Sequence, residues 1–117
     1  MFKMENENIR PWGRYEVLFQ GDTSLWLKEI TVDPNQSLSL QYHKGRDEFW
    51  AITKGEGTVR IKGVDHSASL GDTFYIPRES LHRISAGKDG ISFLEVATGN
   101  VDEEDIIRIE DRYGRAE

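Results

Sequence analysis

Short runs of β-favouring residues separated by turn residues constrain the fold of this chain more than any other feature. Glycine, proline, asparagine or aspartate lies between the runs, as in Asp33-Pro34-Asn35 and Lys54-Gly55-Glu56-Gly57. Strands at this spacing indicate a β-sandwich or a β-barrel. The sequence therefore predicts an all-β fold with strands at residues 15–19, 25–32, 38–42, 48–53, 58–61, 73–76, 81–85 and 91–98.

The length and composition limit the domain organisation. A chain of 117 residues predicts one domain over residues 1–117, with a polar N-terminal arm at 1–10 and a C-terminal tail at 101–117. Cysteine is absent, which excludes disulfides and thiolate metal sites. No apolar run approaches the roughly 20 residues of a membrane span, and the first residues lack the apolar core of a secretory signal. We therefore expect a cytoplasmic protein.

The charge of the chain indicates its class of partner. A net charge of −6 argues against binding to the phosphate backbone of a nucleic acid, which requires a basic surface. Without a basic or apolar surface segment, a membrane partner is not expected either. A small molecule is the expected ligand.

Polar and apolar side chains alternate in the run Leu38-Ser39-Leu40-Gln41-Tyr42-His43. Successive side chains of a strand point to opposite faces, so one face is apolar and the other is polar. In a small barrel one of these faces must point inward, and a polar inner face forms a ligand pocket instead of a packed core. Glu48 has the same parity as Trp50 and Ile52, so it can reach the same cavity from the next strand.

Four residues form a candidate ligand set for a divalent metal ion: Gln41, His43, Glu48 and His82. One amide oxygen, two imidazoles and one carboxylate suit Zn²⁺, Mn²⁺, Fe²⁺, Co²⁺ or Ni²⁺ and leave room for water or substrate. Each residue alone has a plainer role, as a hydrogen-bonding group or as surface charge. The third histidine, His66, is predicted at an exposed hairpin tip.

The spacing of these residues resembles both motifs of the cupin superfamily, whose fold is a double-stranded β-helix or jelly-roll barrel. The first motif aligns with Asn35, Gln41, His43, Glu48 and Gly55, with glutamine in place of the first histidine. The second aligns with Gly71, Pro77, Glu79, His82 and Ala86, where Glu79 replaces a glycine and Ala86 an asparagine. Asparagine stands where the first motif opens with glycine, and asparagine tolerates a left-handed turn.

A narrower resemblance, to the type II mannose-6-phosphate isomerase domain, covers nearly the whole chain. It is carried by RPWG at 10–13, ITVDP at 30–34, LSLQYH at 38–43, RDEFW at 46–50, LEV at 94–96 and EEDIIRIEDRYGR at 103–115. Glutamine at the first ligand position is characteristic of that family. Gly45 and Phe49 stand where the family usually has histidine.

The resemblance implies a metal-dependent isomerase that interconverts mannose-6-phosphate and fructose-6-phosphate in carbohydrate metabolism and polysaccharide biosynthesis. The implied ligands are the four residues named above, and the metal would stabilise an enediolate as a Lewis acid. Glu95 is the first candidate for the base, and pairing with an arginine is its plainer role. Arg46 is the first candidate to bind the phosphate, followed by Lys28 and Arg83.

Two other functions fit the same residues. One is a different metal-dependent cupin enzyme, such as a dioxygenase or a sugar epimerase, because a fold does not fix a reaction. The other is a non-catalytic sugar-binding module, which Gly45 and Phe49 favour. A homodimer is expected under all three functions, since small cupins commonly pair and an exposed sheet edge needs cover.

Overall fold

The computed structural model describes residues 8–116, and the regular structure in this range is almost entirely β-strand. The predicted all-β fold is confirmed. The strands are β1 (Ile9–Arg10), β2 (Gly13–Gly21), β3 (Leu25–Val32), β4 (Leu40–Tyr42), β5 (Arg46–Ile61), β6 (Val64–Ser69), β7 (Thr73–Ile76), β8 (His82–Gly99) and β9 (Ile107–Glu110).

The two longest strands, β5 and β8, organise the barrel. They pair antiparallel along most of their length, from Arg46 opposite Gly99 to Ile61 opposite His82. The other edge of β8 pairs with β3 and, through His82, with β4, while β6 and β7 pair with β5. β2 continues the sheet beyond β3, and β9 continues it beyond β4. Each long strand therefore joins several shorter strands, which curls the sheet around one interior.

The predicted strands 48–53 and 58–61 are one strand, and so are the predicted strands 81–85 and 91–98. The glycines between them mark irregularities in strand pairing, because the register of β5 and β8 shifts between Gly55 and Gly57. Gly55 has φ +77°, and a Cβ at this position would lie 2.1 Å from the carbonyl oxygen of Gly90. Only glycine allows the two long strands to approach so closely here.

The sequence did not predict β6 or β9. β6 contains His66, which lies opposite Val59 and is exposed, so this histidine belongs to a strand and not to the hairpin tip. Asn35 has φ +62°, which confirms the left-handed turn expected at that position.

Apolar side chains from the inner faces of β3, β5 and β8 pack in the barrel interior. Trp50 lies 4.6 Å from Phe93 between ring centroids, and both are almost fully buried. The inner faces of the same strands also carry buried polar residues, among them Lys28, Glu48 and Glu95. The core therefore fills only part of the barrel, and a polar cavity occupies the rest.

The two terminal segments pack against this cavity. β1 forms a short hairpin with β2, and the rest of the predicted arm, residues 1–7, lies outside the described residues. In the predicted tail, β9 pairs with β4, and Tyr113 packs against the core. Within residues 8–116 no helix is long and apolar enough to cross a membrane. The single-domain organisation and the homodimer stay predictions.

Candidate metal centre

A polar pocket opens at the end of the barrel formed by β3, β4, β5, β8 and the terminal segments. Its cavity volume is about 240 Å³. This lies below the roughly 300–1,000 Å³ of drug-sized ligand pockets, so the pocket suits a small ligand. Its polar lining residues include Arg10, Lys28, Ser39, Gln41, His43, Arg46, Glu48, His82, Glu95, Glu103, Arg108 and Arg115.

Three of the four predicted ligands come together in this pocket. His43 follows β4, Glu48 lies in β5 and His82 begins β8, and one ligand atom from each lies within 4.8 Å of the others. Glu48 Oε2 is 3.3 Å from His43 Nε2, and Glu48 Oε1 is 4.0 Å from His82 Nε2. Ligands bound to one zinc ion at about 2.0–2.1 Å lie about 3–4 Å apart, so these separations fit a shared ion.

The second nitrogen of each histidine is fixed by a backbone carbonyl. His43 Nδ1 lies 2.6 Å from the carbonyl oxygen of Asp105, and His82 Nδ1 lies 2.9 Å from that of Ser80. A carbonyl oxygen only accepts, so each Nδ1 donates and each Nε2 presents its lone pair to the pocket. Metal-bound histidines in proteins are oriented in this way. The donor set therefore fits a divalent ion.

Burial keeps both histidines neutral. It lowers the pKa of His43 to about 4, although Glu48 opposes this shift. Burial also lowers the pKa of His82, again against the effect of Glu48. A neutral imidazole is the form that binds a metal, so neither ligand has to lose a proton at neutral pH.

Arg46 compensates the buried charge of Glu48. Its Nε donates to Glu48 Oε2 over 2.7 Å, and its Nη2 donates to His43 Nε2 over 3.2 Å. Trp50 Nε1 donates to the other carboxylate oxygen over 2.9 Å. Burial acts to raise the pKa of Glu48, whereas the charge and the hydrogen bond of Arg46 act to lower it. The guanidinium group of Arg46 therefore contacts two of the candidate ligand atoms, Glu48 Oε2 and His43 Nε2.

Gln41, the fourth predicted ligand, lies beside the other three. It is buried, pairs with His82 across β4 and β8, and lines the same pocket. The predicted alternation is confirmed, because Ser39, Gln41 and His43 are all buried whereas Leu38, Leu40 and Tyr42 are only half-buried. The roles of the four residues as metal ligands stay predictions.

Glu95, the predicted base, lies in the pocket wall on β8. Trp26 Nε1 donates to its Oε2 over 2.8 Å. Burial and the nearby Glu48 raise the pKa of Glu95 to about 8, against the opposing effects of Arg46 and Lys28. This carboxyl group is therefore mainly protonated at neutral pH and can exchange a proton close to that pH.

The three cations expected to bind a phosphate are engaged within the protein. Arg46 holds Glu48 and stacks over Trp26, with 4.6 Å from its Cζ to the ring centroid. Lys28 also stacks on Trp26, at 3.7 Å, and forms an ion pair with Glu103 over 2.7 Å. Arg83 bonds to Leu38 and Glu110 and does not line the pocket.

Three arginines that sequence reasoning missed also line the pocket. Arg10 comes from β1, Arg108 from β9 and Arg115 from the segment after β9. Arg108 and Arg115 lie in a run of mixed charges that resembles a solvated surface, and only the pairing of β9 with β4 turns this run towards the pocket.

The two positions that differ from the usual family pattern lie outside the pocket lining. Phe49 is 44% exposed, because its side chain points to the opposite face of β5 from Glu48. Gly45 donates its backbone N–H to an Asp105 carboxylate oxygen over 2.8 Å. Neither Gly45 nor Phe49 therefore contributes to the pocket lining of this chain.

The barrel topology and the inward His–Glu–His set define a cupin fold with a candidate metal centre. A solved structure from Rhodospirillum rubrum, described as a cupin-2 domain, superposes with a TM-score of 0.72 at 24% identity, over 87% of this chain and 69% of that chain. The predicted double-stranded β-helix is confirmed.

The chain belongs to the family described as mannose-6-phosphate isomerase C-terminal, whose model matches residues 1–111. It is 37% identical over 96% of its length to the mannose-1-phosphate guanylyltransferase ManC of Salmonella typhimurium. It is 38% identical over 93% of its length to the alginate biosynthesis protein AlgA of Pseudomonas aeruginosa. The chain spans about a quarter of the length of these relatives, 24% and 23% respectively.

These comparisons correct the predicted function. The expected activity, a mannose-6-phosphate isomerase, is wrong because the relatives are named as enzymes of a different activity, mannose-1-phosphate guanylyltransferases. The motifs identified the domain family, but the family and the fold do not fix the reaction.

Proposed function

We propose that this chain is a metal-binding domain that holds a phosphorylated mannose in its barrel pocket. The observation that carries the proposal is the convergence of His43, Glu48 and His82 in a polar cavity of about 240 Å³ lined by cations. A mannose phosphate is favoured as the ligand because the relatives' name contains mannose-1-phosphate. The small cavity favours a single sugar over a nucleotide sugar.

Each group of the pocket has a defined part in this function. The two imidazoles, Glu48 and the amide oxygen of Gln41 would hold the ion, which supplies a Lewis acid for sugar oxygens. Arg46 keeps Glu48 ionised in the buried site. Trp26 fixes the orientation of Glu95 through the Nε1 bond.

Isothermal titration tests this function. The protein is loaded with Zn²⁺ or Mn²⁺ and titrated with mannose 1-phosphate, mannose 6-phosphate and mannose. We expect saturable binding of a mannose phosphate that is lost after removal of the metal and in the H43A and H82A variants. Absence of binding with either metal, or equal binding without metal, would contradict the proposal.

A further inference from the structure

Arg46 donates to the same two atoms that a divalent ion in the candidate centre would use. Its Nε lies 2.7 Å from Glu48 Oε2, and its Nη2 lies 3.2 Å from His43 Nε2. These two acceptor atoms are 3.3 Å apart, and all three residues are buried. The guanidinium group and a metal ion therefore depend on the same pair of atoms.

The bond to His43 decides whether both cations can be held at once. His43 Nδ1 lies 2.6 Å from the carbonyl oxygen of Asp105, so Nδ1 carries the ring proton and Nε2 is the unprotonated nitrogen. The unprotonated nitrogen of a neutral imidazole has a single lone pair. This lone pair either accepts the bond from Arg46 Nη2 or binds a metal. A carboxylate oxygen can accept more than one bond, so the strict exclusion arises at His43 and not at Glu48.

Electrostatic repulsion also opposes the presence of both cations. A zinc ion lies about 2.0–2.1 Å from its ligand atoms, and the two nitrogens of Arg46 lie 2.7 and 3.2 Å from the same atoms. The ion and these nitrogens would therefore be no more than about 5 Å apart. Water screens charges poorly in a buried site, so repulsion over this distance is strong. Arg46 has to release His43 before the ion can bind.

Two further contacts of Arg46 do not involve the candidate ligands. Its Nη1 donates to the carbonyl oxygen of Asp102 over 3.1 Å, and its Cζ lies 4.6 Å from the ring centroid of Trp26. Both contacts can keep the side chain in the pocket after Nη2 leaves His43. We propose that Arg46 is an internal competitor of the metal ion, which compensates Glu48 and occupies His43 Nε2 in the metal-free protein. This inference rests on the proposed function and adds the residue that sets the metal affinity.

Calorimetric titration of the metal-free protein with Zn²⁺ tests the competition. We expect R46M to bind zinc about tenfold or more tightly than wild type, because the variant lacks the charge-assisted hydrogen bond that the ion must replace. A residue that only supports the ligands has the opposite effect, since its loss weakens metal binding by about 10–100-fold. Equal or weaker zinc binding by R46M would overturn the proposal.

The matched control is R78M, which removes an exposed arginine. Arg78 pairs with Asp47 and does not line the pocket, so R78M should bind zinc within about twofold of wild type. R46K keeps a positive charge without the planar fork, and we expect its zinc affinity to lie between those of wild type and R46M. Circular dichroism establishes that each variant is folded.

Thermal unfolding gives a second measurement of the same competition. Saturating zinc should raise the Tm of R46M more than that of wild type, because the ion then supplies the positive charge that the variant lacks beside Glu48. R78M should gain as much as wild type. An equal or smaller gain in R46M than in wild type would contradict the proposal.

NMR of the wild type needs no variant of Arg46. In the metal-free protein, Nη1 and Nη2 of Arg46 have different acceptors, so we expect distinct guanidinium N–H signals that exchange slowly with water. One equivalent of zinc should speed this exchange. The N–H signal of Arg83, which does not line the pocket and donates to the carbonyl oxygen of Leu38, should stay unchanged. Unchanged exchange of the Arg46 signals at saturating zinc would overturn the proposal.

Titration with zinc alone separates failure of the competition from failure of the proposed function. If R46M binds zinc more tightly than wild type but neither protein binds a mannose phosphate, the competition stands and the proposed ligand is wrong. If wild type binds zinc and a mannose phosphate and R46M binds zinc no more tightly, the competition is wrong and the proposed function stands. Absence of zinc binding by both proteins overturns both.

Discussion

Removing one partner of the buried pair of Arg46 and Glu48 should cost more stability than removing one partner of an exposed ion pair such as Arg78 and Asp47. The side chains of Arg46 and Glu48 are 8% and 1% exposed, and the Nε–Oε2 distance is 2.7 Å. Removing one partner of a buried pair leaves an uncompensated charge and costs about 3–5 kcal/mol. A domain of this size has a free energy of unfolding of about 5–15 kcal/mol, so R46M and E48Q should each lose a large fraction of it.

The double variant R46M/E48Q should lose much less than the sum of the single losses, because it contains no uncompensated charge. We expect a coupling free energy of about 2 kcal/mol or more. Urea unfolding at pH 7 with a chelator present measures the cycle without a metal contribution. The exposed pair of Arg78 and Asp47 is the control, with side chains 49% and 27% exposed. R78M should change stability by about 1 kcal/mol or less.

Two results would refute this reasoning about the pair. One is a loss of less than about 1 kcal/mol in both single variants. The other is a loss in the double variant equal to the sum of the single losses, which would mean that Arg46 and Glu48 do not compensate one another.

Three further predictions concern other parts of the fold. Because the pKa of Glu95 is raised from 4.5 to about 8, the folded protein holds a proton that the unfolded chain releases near neutral pH. The free energy of unfolding of the wild type should therefore fall between pH 6.5 and 8, by up to about 1.4 kcal/mol per pH unit, and change less in E95Q. Equal slopes for the two proteins in urea titrations would contradict this prediction. Glu79 has φ +68° where the second cupin motif has glycine, so E79G should stabilise the protein by up to about 1 kcal/mol. Gly71 has φ +92° and no atom close to the position that a Cβ would take, so G71A should destabilise the protein by a similar amount through backbone strain alone. Thermal unfolding measures both changes. The Asp105 carboxylate accepts hydrogen bonds from the backbone N–H groups of Lys44 and Gly45, which follow the candidate ligand His43. We therefore expect D105A to weaken zinc binding by about tenfold in calorimetry. An unchanged affinity would exclude a role of Asp105 in positioning His43.

The sequence was sufficient to predict the inner face of the metal pocket. Alternation in residues 38–43 predicted which side chains are buried, and the parity of Glu48 with Trp50 placed its carboxylate inside. Both predictions rest on the two-residue period of a strand, which is a local property. The spacing of the second motif added His82, since local alternation cannot relate strands that are distant in sequence.

The positions of the cations could not be predicted in the same way. Arg46 follows a loop and looked free to bind a ligand, but the folded chain buries it against Glu48. Arg108 looked like surface charge until β9 was found to pair with β4. Such placements depend on contacts between segments far apart in sequence, which residue patterns do not encode. The same limit applies to β5 and β8, where glycines that resemble turns allow close contact between two continuous strands.

We propose above all that His43, Glu48 and His82 hold one divalent ion in the barrel. Elemental analysis together with calorimetric titration of the metal-free protein measures this directly. The structure predicts one ion per chain, with affinity reduced by orders of magnitude in H43A and H82A and unchanged in H66A, which replaces the exposed histidine of β6. Absence of bound metal, or equal affinity in H82A and H66A, would contradict the claim.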